Sequence, residues 1–285
     1  MKPAAFEYIA ATDVAHALDV LERWGDRARP LAGGQSLMAE VNARLARPAA
    51  LVDLNRIAGL DHVVEAGGGL SVGAMTRQRV VERHPAVRSA CPLLADASRH
   101  IGSFQTRNRG TVGGSLAQAD PSGELPAVAV ALGATMVVEG SGGRRELPAS
   151  DFFVGRRVTA MARAELLVEV RLPAWGARWA FEEITLRGRG GPAIVAVAVA
   201  AAPGPDRTWT RVGIGVAGAG PVPIEPVRAE ALLSGHPITA ELIAEAARLT
   251  AEDTEPETDM HATAAYRHAL VEVLTRRALN AAHAG

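Results

Sequence analysis

The sequence predicts an α+β protein, with mixed helices and strands towards its amino end and an antiparallel sheet with helices at its carboxyl end. Three observations lead to this fold class. Residues 6–54 alternate between strand and helix patterns, which is the order found in a parallel sheet. Long apolar strands separated by short turns occupy residues 179–217, as in an antiparallel meander. Residues 225–282 show the periodicity of helices.

The first unit contains a glycine loop between a strand and a helix. Its expected elements are a strand at 6–9, a helix at 14–24 preceded by Thr12 and Asp13, a strand at 30–32, a helix from Ser36 to Leu45 and a strand at 50–54. The loop Leu31–Leu37 therefore lies at a strand-to-helix turn. Free amides and the helix dipole favour a phosphate group at such a turn.

The second unit contains a longer glycine-rich stretch, residues 101–126, which we expect to be a loop. Gly110, Gly113 and Gly114 let the backbone approach a ligand closely and reach positive φ, so that amides can point at an anion. The elements expected around it are a hairpin at 63–65 and 70–73, helices at 76–82 and 86–99, an apolar segment at 125–132, and strands at 135–139 and 165–172. Two such loops predict a clamp for the pyrophosphate of a dinucleotide.

The carboxyl-terminal unit begins near Pro173–Gly176, where proline and glycine interrupt the pattern. Its expected strands are 179–187, 193–201 and 208–217, and its expected helices are 225–233, 240–249 and 263–282. The last helix is amphipathic, with Leu270, Val273, Leu274 and Leu279 inward and Arg267, Glu272, Arg276 and Arg277 outward.

Composition narrows the class of protein. The formal net charge is -1 and both signs are mixed along the chain, which argues against nucleic acid or an anionic membrane as the main partner. Apolar runs fall short of the roughly 20 residues of a spanning helix, and the start lacks a signal-like apolar segment, so we expect a cytoplasmic protein. Cys91 is the only cysteine, whereas an iron-sulfur cluster needs about four, so any cluster must lie on another chain.

Several patterns have a simpler reading than a functional site. Gly213–Gly218 spells a dinucleotide fingerprint, but Pro221 and Pro223 prevent the helix that must follow, so we expect a strand end and turn. The histidines show no metal-ligand spacing, and we expect no metal. Cys91 is expected in the core and Asp120 as an acceptor that orders its loop. Arg107 and Arg109 are candidates for binding either phosphate or a neighbouring chain.

Three segments together resemble one known family. They are Ala32-Gly33-Gly34-Gln35-Ser36-Leu37, the run from Arg44 to Leu54, and Gln105–Ser115 followed by Ala119-Asp120-Pro121 and Glu124-Leu125-Pro126. This combination is similar to the FAD-binding medium subunit of molybdenum hydroxylases, the family of aerobic carbon monoxide dehydrogenase and xanthine dehydrogenase. Asp259-Met260-His261 with Tyr266-Arg267 fits the same pattern, so the resemblance covers nearly the whole chain.

The resemblance implies a fold, a cofactor and partners. It implies a p-cresol-methylhydroxylase-type FAD fold in residues 1–175, with subdomains of about 1–55 and 56–175, and a carbon monoxide dehydrogenase flavoprotein-like domain in residues 176–285. Non-covalent FAD would receive electrons from iron-sulfur clusters on a small subunit, after oxidation of substrate at a molybdopterin cofactor on a large subunit. NAD, a quinone or oxygen would be the acceptor. No residue of this chain is implied to be catalytic.

The resemblance also implies which residues bind FAD. One side of the pyrophosphate would be wrapped by Leu31, Ala32, Gly33, Gly34, Gln35, Ser36 and Leu37, and the other by Thr111, Gly113, Gly114 and Ser115. Ile101 would pack near the flavin or its chain, Glu124 would accept hydrogen bonds from FAD hydroxyls, and the Leu167 backbone would meet the adenine side. Gln35 stands where related covalent flavoproteins often carry a histidine.

Two departures from the family pattern leave alternatives open. Glu182 stands where many relatives have a lysine near the flavin, and Gly191-Pro192-Ala193 replaces an Asp-aromatic-Ala run. A stand-alone flavin-dependent oxidase or monooxygenase with the same fold is therefore a second hypothesis. A scaffold protein without activity is a third, which the intact glycine loops disfavour.

Overall fold

The computed structural model describes residues 2–175, 178–188 and 190–285. The expected boundary at Pro173–Gly176 falls partly outside this part of the chain, because Gly176 is not among the described residues. Buried apolar side chains form three hydrophobic clusters. One lies under the amino-terminal sheet, one joins the middle of the chain to one face of the carboxyl-terminal sheet, and one lies on the opposite face of that sheet.

The amino-terminal unit is a three-stranded parallel sheet with strand order β1-β3-β2. Its elements are β1 Glu7–Ala10, α1 Val14–Trp24, a 3-10 turn Gly25–Arg27, β2 Ala28–Leu31, α2 Leu37–Asn42 and β3 Ala50–Asp53. The Asp13 side chain accepts a hydrogen bond from His16 N and caps α1. The predicted order of elements is confirmed, although α2 ends at Asn42 rather than Leu45.

The second unit is a five-stranded antiparallel sheet, in the order β4-β5-β10-β6-β7, with helices packed on it. Its elements are β4 Val63–Ala66, β5 Gly69–Gly73, α3 Gln78–Val81, α4 Pro85–Ala90, α5 Pro92–Ser98, α6 Phe104–Arg109, α7 Val112–Gln118, α8 Glu124–Ala131, β6 Thr135–Gly140, β7 Gly143–Pro148, α9 Ala149–Phe152, β8 Phe153–Gly155, β9 Val158–Thr159 and β10 Leu166–Leu172. The predicted hairpin is confirmed as β4 and β5.

Two predictions for this unit are wrong. The stretch 101–126 is not a long loop, because it contains α6, α7 and the start of α8. Side-chain caps explain this, since Ser103 Oγ accepts from Thr106 N at 3.3 Å and Thr111 Oγ1 accepts from Gly114 N at 3.0 Å. The single helix expected at 86–99 is two, α4 and α5, because Pro92 starts a new helix after Cys91.

The carboxyl-terminal unit is the expected antiparallel meander followed by three helices. Its elements are β11 Arg178–Thr185, β12 Ala193–Pro203, β13 Trp209–Ala217, α10 Val227–Leu233, α11 Ala240–Glu252 and α12 Ala264–Ala284. Side chains of β12 alternate between two apolar faces. One face packs in the cluster that contains α8, and the other packs with α11 and α12.

The fingerprint glycines serve the packing of α8, a helix whose residues are all buried. A Cβ added at Gly213 or Gly215 would collide with the carbonyl oxygen of Ala131 or Ala127. β13 ends at Ala217 and Gly218 has φ +81°, so the predicted strand end and turn is confirmed. These glycines let a helix approach the sheet and do not form a nucleotide site.

Arg267 corrects the prediction for the last helix. Its guanidinium is buried rather than outward, and it donates to Ile194 O at 2.6 Å, to Gly218 O at 2.9 Å and to Asp259 Oδ2 at 2.7 Å. Periodicity assigned it to solvent because a lone arginine usually faces water. In the folded chain it joins the first turn of α12 to the ends of β12 and β13.

Candidate functional site

A cleft opens where the loop after β2 faces the start of α7, and most of the predicted cofactor residues line it. These are Ala32, Gly33, Gly34, Gln35, Ser36, Leu37, Ile101, Thr111, Gly113, Gly114, Ser115 and Leu167. Gly110 of the glycine-rich stretch lines it too, together with residues that the sequence did not single out, namely Arg29, Pro30, Leu54, Ala74, Met75, Gln78, Thr106, Ala117, Gln118, Met161, Glu165 and Leu166. The fold thus brings the two glycine segments to one place.

The first segment lines this cleft with consecutive residues whose backbone amides are free. Within the part of the chain that the structure describes, the amides of Gly33, Gly34, Gln35 and Ser36 donate to no other atom. Gly34 has φ +73°, a conformation that glycine adopts without strain, and Gln35 Nε2 donates to Gly33 O at 3.2 Å. Successive unengaged amides in a turn form a concave site suited to an anion.

The second segment is built differently from the sequence expectation. Gly113 and Gly114 lie in the first turn of α7 and not in a loop with positive φ. Their amides already have acceptors, since Gly113 N donates to Ala74 O at 2.8 Å and Gly114 N to Thr111 Oγ1 at 3.0 Å. Val112 N likewise donates to Thr76 O at 3.0 Å. This segment therefore shapes the cleft, whereas the first segment supplies the free amides.

Neighbouring chain segments approach several of these glycines so closely that a side chain would not fit. A Cβ at Gly33 would lie 2.8 Å from Gly110 Cα and closer still to the Arg109 carbonyl oxygen. A Cβ at Gly113 would lie 2.8 Å from Ala74 Cα, and one at Gly114 would lie 2.6 Å from Thr111 Oγ1. These distances are shorter than van der Waals contact. The narrow glycine-walled cleft with free amides fits the pyrophosphate of a dinucleotide such as FAD.

A polar network that the sequence did not reveal ties the two segments together. Asn55 Nδ2 donates to Ala32 O at 3.0 Å, in the first segment. Arg77 Nη2 donates to Asn55 Oδ1 at 2.6 Å, and Arg77 Nη1 donates to Arg109 O at the edge of the second segment. Asn55 and Arg77 belong to no recognisable motif, and only the fold brings them together.

Asp53 anchors this network at the end of β3. It accepts hydrogen bonds from the Tyr8 hydroxyl and from Asn55 N, the latter at 2.9 Å. Partial burial alone would raise the pKa of Asp53, but the bonds from Tyr8 and Asn55 outweigh it and lower the pKa. Burial and the positive charge of Arg109 lower the pKa of Arg77. A carboxylate thus holds Asn55 in place beside the glycine loop.

Three predicted cofactor residues do not line the cleft. Leu31 is the last residue of β2 and directly precedes the lining residues of the loop. Glu124 begins α8 and is buried, and burial together with the charge of Glu183 raises its pKa to about 7. Glu182 is half-buried on β11, where it pairs with Val197 of β12.

Two of the other polar candidates, Arg107 and Asp120, have structural roles. Arg107 is buried and donates to Glu82 Oε2 at 2.9 Å and to Ile101 O at 2.9 Å, so it holds its own helix in place. Arg109 is exposed. Asp120 Oδ1 accepts from Ser122 N at 3.0 Å, which confirms its loop-ordering role, and Cys91 is buried as predicted.

Over 2–175, 178–188 and 190–285, no group of three or more His, Cys, Asp or Glu side chains could hold a metal ion. Over the same ranges, each helix is too short or too polar to cross a bilayer.

Two family models match this chain and together cover nearly all of it. The first, described as the FAD binding domain in molybdopterin dehydrogenase, matches residues 4–175. The second, described as the CO dehydrogenase flavoprotein C-terminal domain, matches residues 179–282.

Individual relatives match this chain over nearly their full length. The carbon monoxide dehydrogenase medium chain of Hydrogenophaga pseudoflava is 36% identical over 100% of this chain and 99% of its own. The nicotine 6-hydroxylase medium subunit of Paenarthrobacter nicotinovorans is 37% identical over 98% of each chain. A solved structure of carbon monoxide dehydrogenase from Hydrogenophaga pseudoflava, lacking the Mo-pyranopterin moiety of the molybdenum cofactor, has a TM-score of 0.97 at 37% identity, over 100% of this chain and 99% of that one.

Proposed function

The chain belongs to the FAD-binding medium subunits of molybdenum hydroxylases, and we propose that its cleft holds FAD between the amides of Gly33–Ser36 and the start of α7. The observation that carries this assignment is that four consecutive residues with unengaged amides line the cleft. A charge-assisted hydrogen bond to a phosphate contributes about 1.5–3 kcal/mol. A few such bonds are enough to retain FAD without a covalent link.

The proposed ligands divide by role. Gly33, Gly34, Gln35 and Ser36 would donate to the pyrophosphate, and Ala32 and Leu37 would flank it. Thr111, Gly113, Gly114 and Ser115 would close the opposite wall, with Ile101 and Leu167 as apolar contacts. The remaining predicted residues do not line the cleft and would support the loop or set the charge near the cofactor; they are Leu31, Glu124 and Glu182. The two domains would be residues 1–175, with subdomains of about 1–55 and 56–175, and residues 176–285.

The proposed role is electron transfer between subunits in the cytoplasm. FAD, when bound, accepts electrons from one carrier and passes them to another. The residues of this chain bind it, hold its pyrophosphate and keep the cleft narrow. Cys91 is the single cysteine, and burial raises the pKa of its thiol to about 12, so the chain lacks ligands for a cluster of its own.

Partners are therefore part of the proposal. Two relatives are named a medium chain and a medium subunit, and the related solved structure is of an enzyme that lacks the Mo-pyranopterin moiety of its molybdenum cofactor. An iron-sulfur small subunit would deliver electrons and a molybdopterin large subunit would oxidise the substrate. NAD, a quinone or oxygen would then take the electrons from this chain.

The experiment compares the isolated chain with the complete complex. Purified chain is loaded with FAD, and flavin absorbance is followed under anaerobic conditions after an organic substrate of the complex is added. We expect no bleaching with the chain alone and rapid bleaching once the two partner subunits are present. Bleaching by substrate in the isolated chain would instead establish the stand-alone oxidase or monooxygenase. A chain that gains no flavin absorbance on incubation with FAD would contradict the cofactor assignment.

A further inference from the structure

The turn between β8 and β9 carries an arginine that bonds to two separate helical segments. Arg156 and Arg157 form the tip of this hairpin. Arg157 Nη1 donates to Glu40 Oε1 at 3.1 Å, and Arg157 Nη2 donates to Asp120 Oδ2 at 3.1 Å. One guanidinium thus forms ion pairs with two carboxylates that lie far apart in the chain.

These two carboxylates belong to opposite walls of the cleft. Glu40 is on α2, the helix that directly follows the loop Gly33–Ser36 with its free amides. Asp120 directly follows the end of α7, where Ala117 and Gln118 line the cleft. The two ion pairs therefore join one wall of the cleft to the other.

The hairpin tip is held in place by its backbone and by the neighbouring arginine. Arg157 N donates to Ala119 O at 3.1 Å, and Arg156 Nη2 donates to Glu257 Oε2 at 2.7 Å in the segment before α12. Arg157 has φ +57°, a left-handed conformation that residues other than glycine adopt infrequently. Such a conformation persists where the surrounding contacts fix it. The guanidinium is therefore presented to both walls from a fixed position.

The cleft is narrow, so its walls must move when a large ligand passes. They approach each other closely at Gly33 and Gly110, and passage of a molecule the size of FAD requires them to separate. Arg157 is exposed, and ion pairs in contact with water are weak and break readily. Arg77, which provides the other connection between the two segments, is half-buried. The bonds of Arg157 are thus the ones suited to break and re-form.

We propose that Arg157 is a clasp across the FAD cleft, and that the opening of its two ion pairs limits the rate at which FAD enters and leaves. Arg157 is not among the residues that line the cleft, so it acts on the walls and not on the cofactor. This inference rests on the proposed function, since it requires FAD in the cleft. It adds to that function a positioning residue that controls exchange of the cofactor.

A clasp that does not touch the cofactor changes both rates and leaves the equilibrium unchanged. Arg157→Met removes both ion pairs and keeps most of the side-chain stem. From the usual strength of exposed ion pairs we expect FAD binding and FAD release each to accelerate about fivefold, with the Kd unaltered. Salt at about 1 M should accelerate both rates in wild type, because it screens exposed charges, and should have less effect on the variant.

The test measures both rates on the full chain. Flavin fluorescence is followed after rapid mixing of apo chain with FAD and after rapid dilution of the loaded chain, and the melting temperature of the apo chain is recorded. Arg248→Met is the matched control. Arg248 also pairs with two exposed carboxylates, but both lie on its own helix α11, so we expect no change in either rate.

A second substitution tests the proposed path through the opposite wall. Glu40→Gln removes one of the two ion pairs and should reproduce part of the acceleration. Added to Arg157→Met it should have no further effect, because its partner is already absent. Glu40→Gln also gives the comparison with wild type if Arg157→Met does not fold.

The outcomes separate this inference from the proposed function. Unchanged rates in Arg157→Met, at the wild-type melting temperature, would overturn the clasp and leave the FAD site intact. Faster release alone, with a matching rise in the Kd, would mean that Arg157 stabilises bound FAD directly and would also overturn it. Failure of the wild type to bind FAD would contradict the proposed site itself.

Discussion

Arg77 Nη2 donates to Asn55 Oδ1 at 2.6 Å, and this bond connects the two chain segments that form the cleft. Asn55 bonds to Ala32 O in the first segment, and Arg77 bonds to Arg109 O in the second. The segments are far apart in sequence, so their spacing depends on contacts of this kind. The width of the cleft is therefore set by side chains behind it as well as by its glycines.

Replacing Arg77 tests this connection. Arg77→Met removes both hydrogen bonds and leaves two acceptors without their donor. Bonds to charged groups contribute about 1.5–3 kcal/mol, so we expect the free energy of unfolding to fall by about 2 kcal/mol and the Kd for FAD to rise at least about tenfold. Urea unfolding and FAD titration measure these effects. Arg88→Met, at an exposed position on α4, is the control. Equal FAD affinity in the two variants would show that the connection through Arg77 does not set the width of the cleft.

Gly33 tests the close approach of the backbones directly. Gly33→Ala adds a Cβ that would lie 2.8 Å from Gly110 Cα and would strike the Arg109 carbonyl oxygen. The segments would have to separate, and we expect FAD binding to be lost at micromolar concentrations of cofactor. Gly142→Ala is a matched control, because its added Cβ meets nothing within 4 Å. Wild-type affinity in Gly33→Ala would contradict the close approach of the two segments.

Sequence reasoning recovered the elements whose signal is periodic. The parallel unit with its glycine loop and the meander of β11, β12 and β13 follow from alternation and turn residues alone. The helices α6 and α7 were missed because their apolar content is low and their stability depends on the caps Ser103 and Thr111. Each cap is a single hydroxyl, which a pattern of apolar residues does not register.

Some site residues can likewise be predicted from the sequence, and others cannot. The glycine loop was predicted because its residues are contiguous and chemically distinctive. Asn55 and Arg77 were missed because their roles depend on contacts between segments that lie apart in the chain. The buried Arg267 was misplaced for a similar reason, since its three acceptors come from β12, the turn after β13 and Asp259.

Stability should depend on pH through Glu124. Burial raises the pKa of this carboxyl to about 7 from its ordinary value of 4.5, so the folded chain favours the protonated form. The resulting stability is complete below pH 4.5 and is lost as pH rises through 7. At about 1.4 kcal/mol per pKa unit the loss is about 3 kcal/mol.

The variant Glu124→Gln removes this dependence. We expect the free energy of unfolding of this variant to fall less than that of wild type between pH 5 and 8. Part of the dependence of this free energy on pH should persist, because burial also raises the pKa of Glu230 to about 7. Urea unfolding at several pH values measures the slope. Glu65→Gln, at an exposed position, is the control. Identical slopes in Glu124→Gln and wild type would mean that Glu124 titrates near its ordinary pKa.

The flavin should be released by denaturation. The Gln35 carboxamide bonds back to Gly33 O within the loop, and an amide nitrogen is too weak a nucleophile to form a covalent bond to the flavin. After acid precipitation we expect all flavin absorbance in the supernatant and an unmodified mass for the chain. Flavin retained in the pellet, with a matching increase in mass, would contradict non-covalent binding.

Hydrogen exchange at single amides tests the central claim, that the unengaged donors of Gly33–Ser36 bind the pyrophosphate. In the isotope-labelled chain without FAD we expect these amides to exchange rapidly, since they donate to no described atom. With FAD bound, their exchange should slow at least about tenfold, whereas Gly113 and Gly114, which already have acceptors, should change much less. Unchanged exchange at Gly33–Ser36, with flavin absorbance showing full occupancy, would contradict the account.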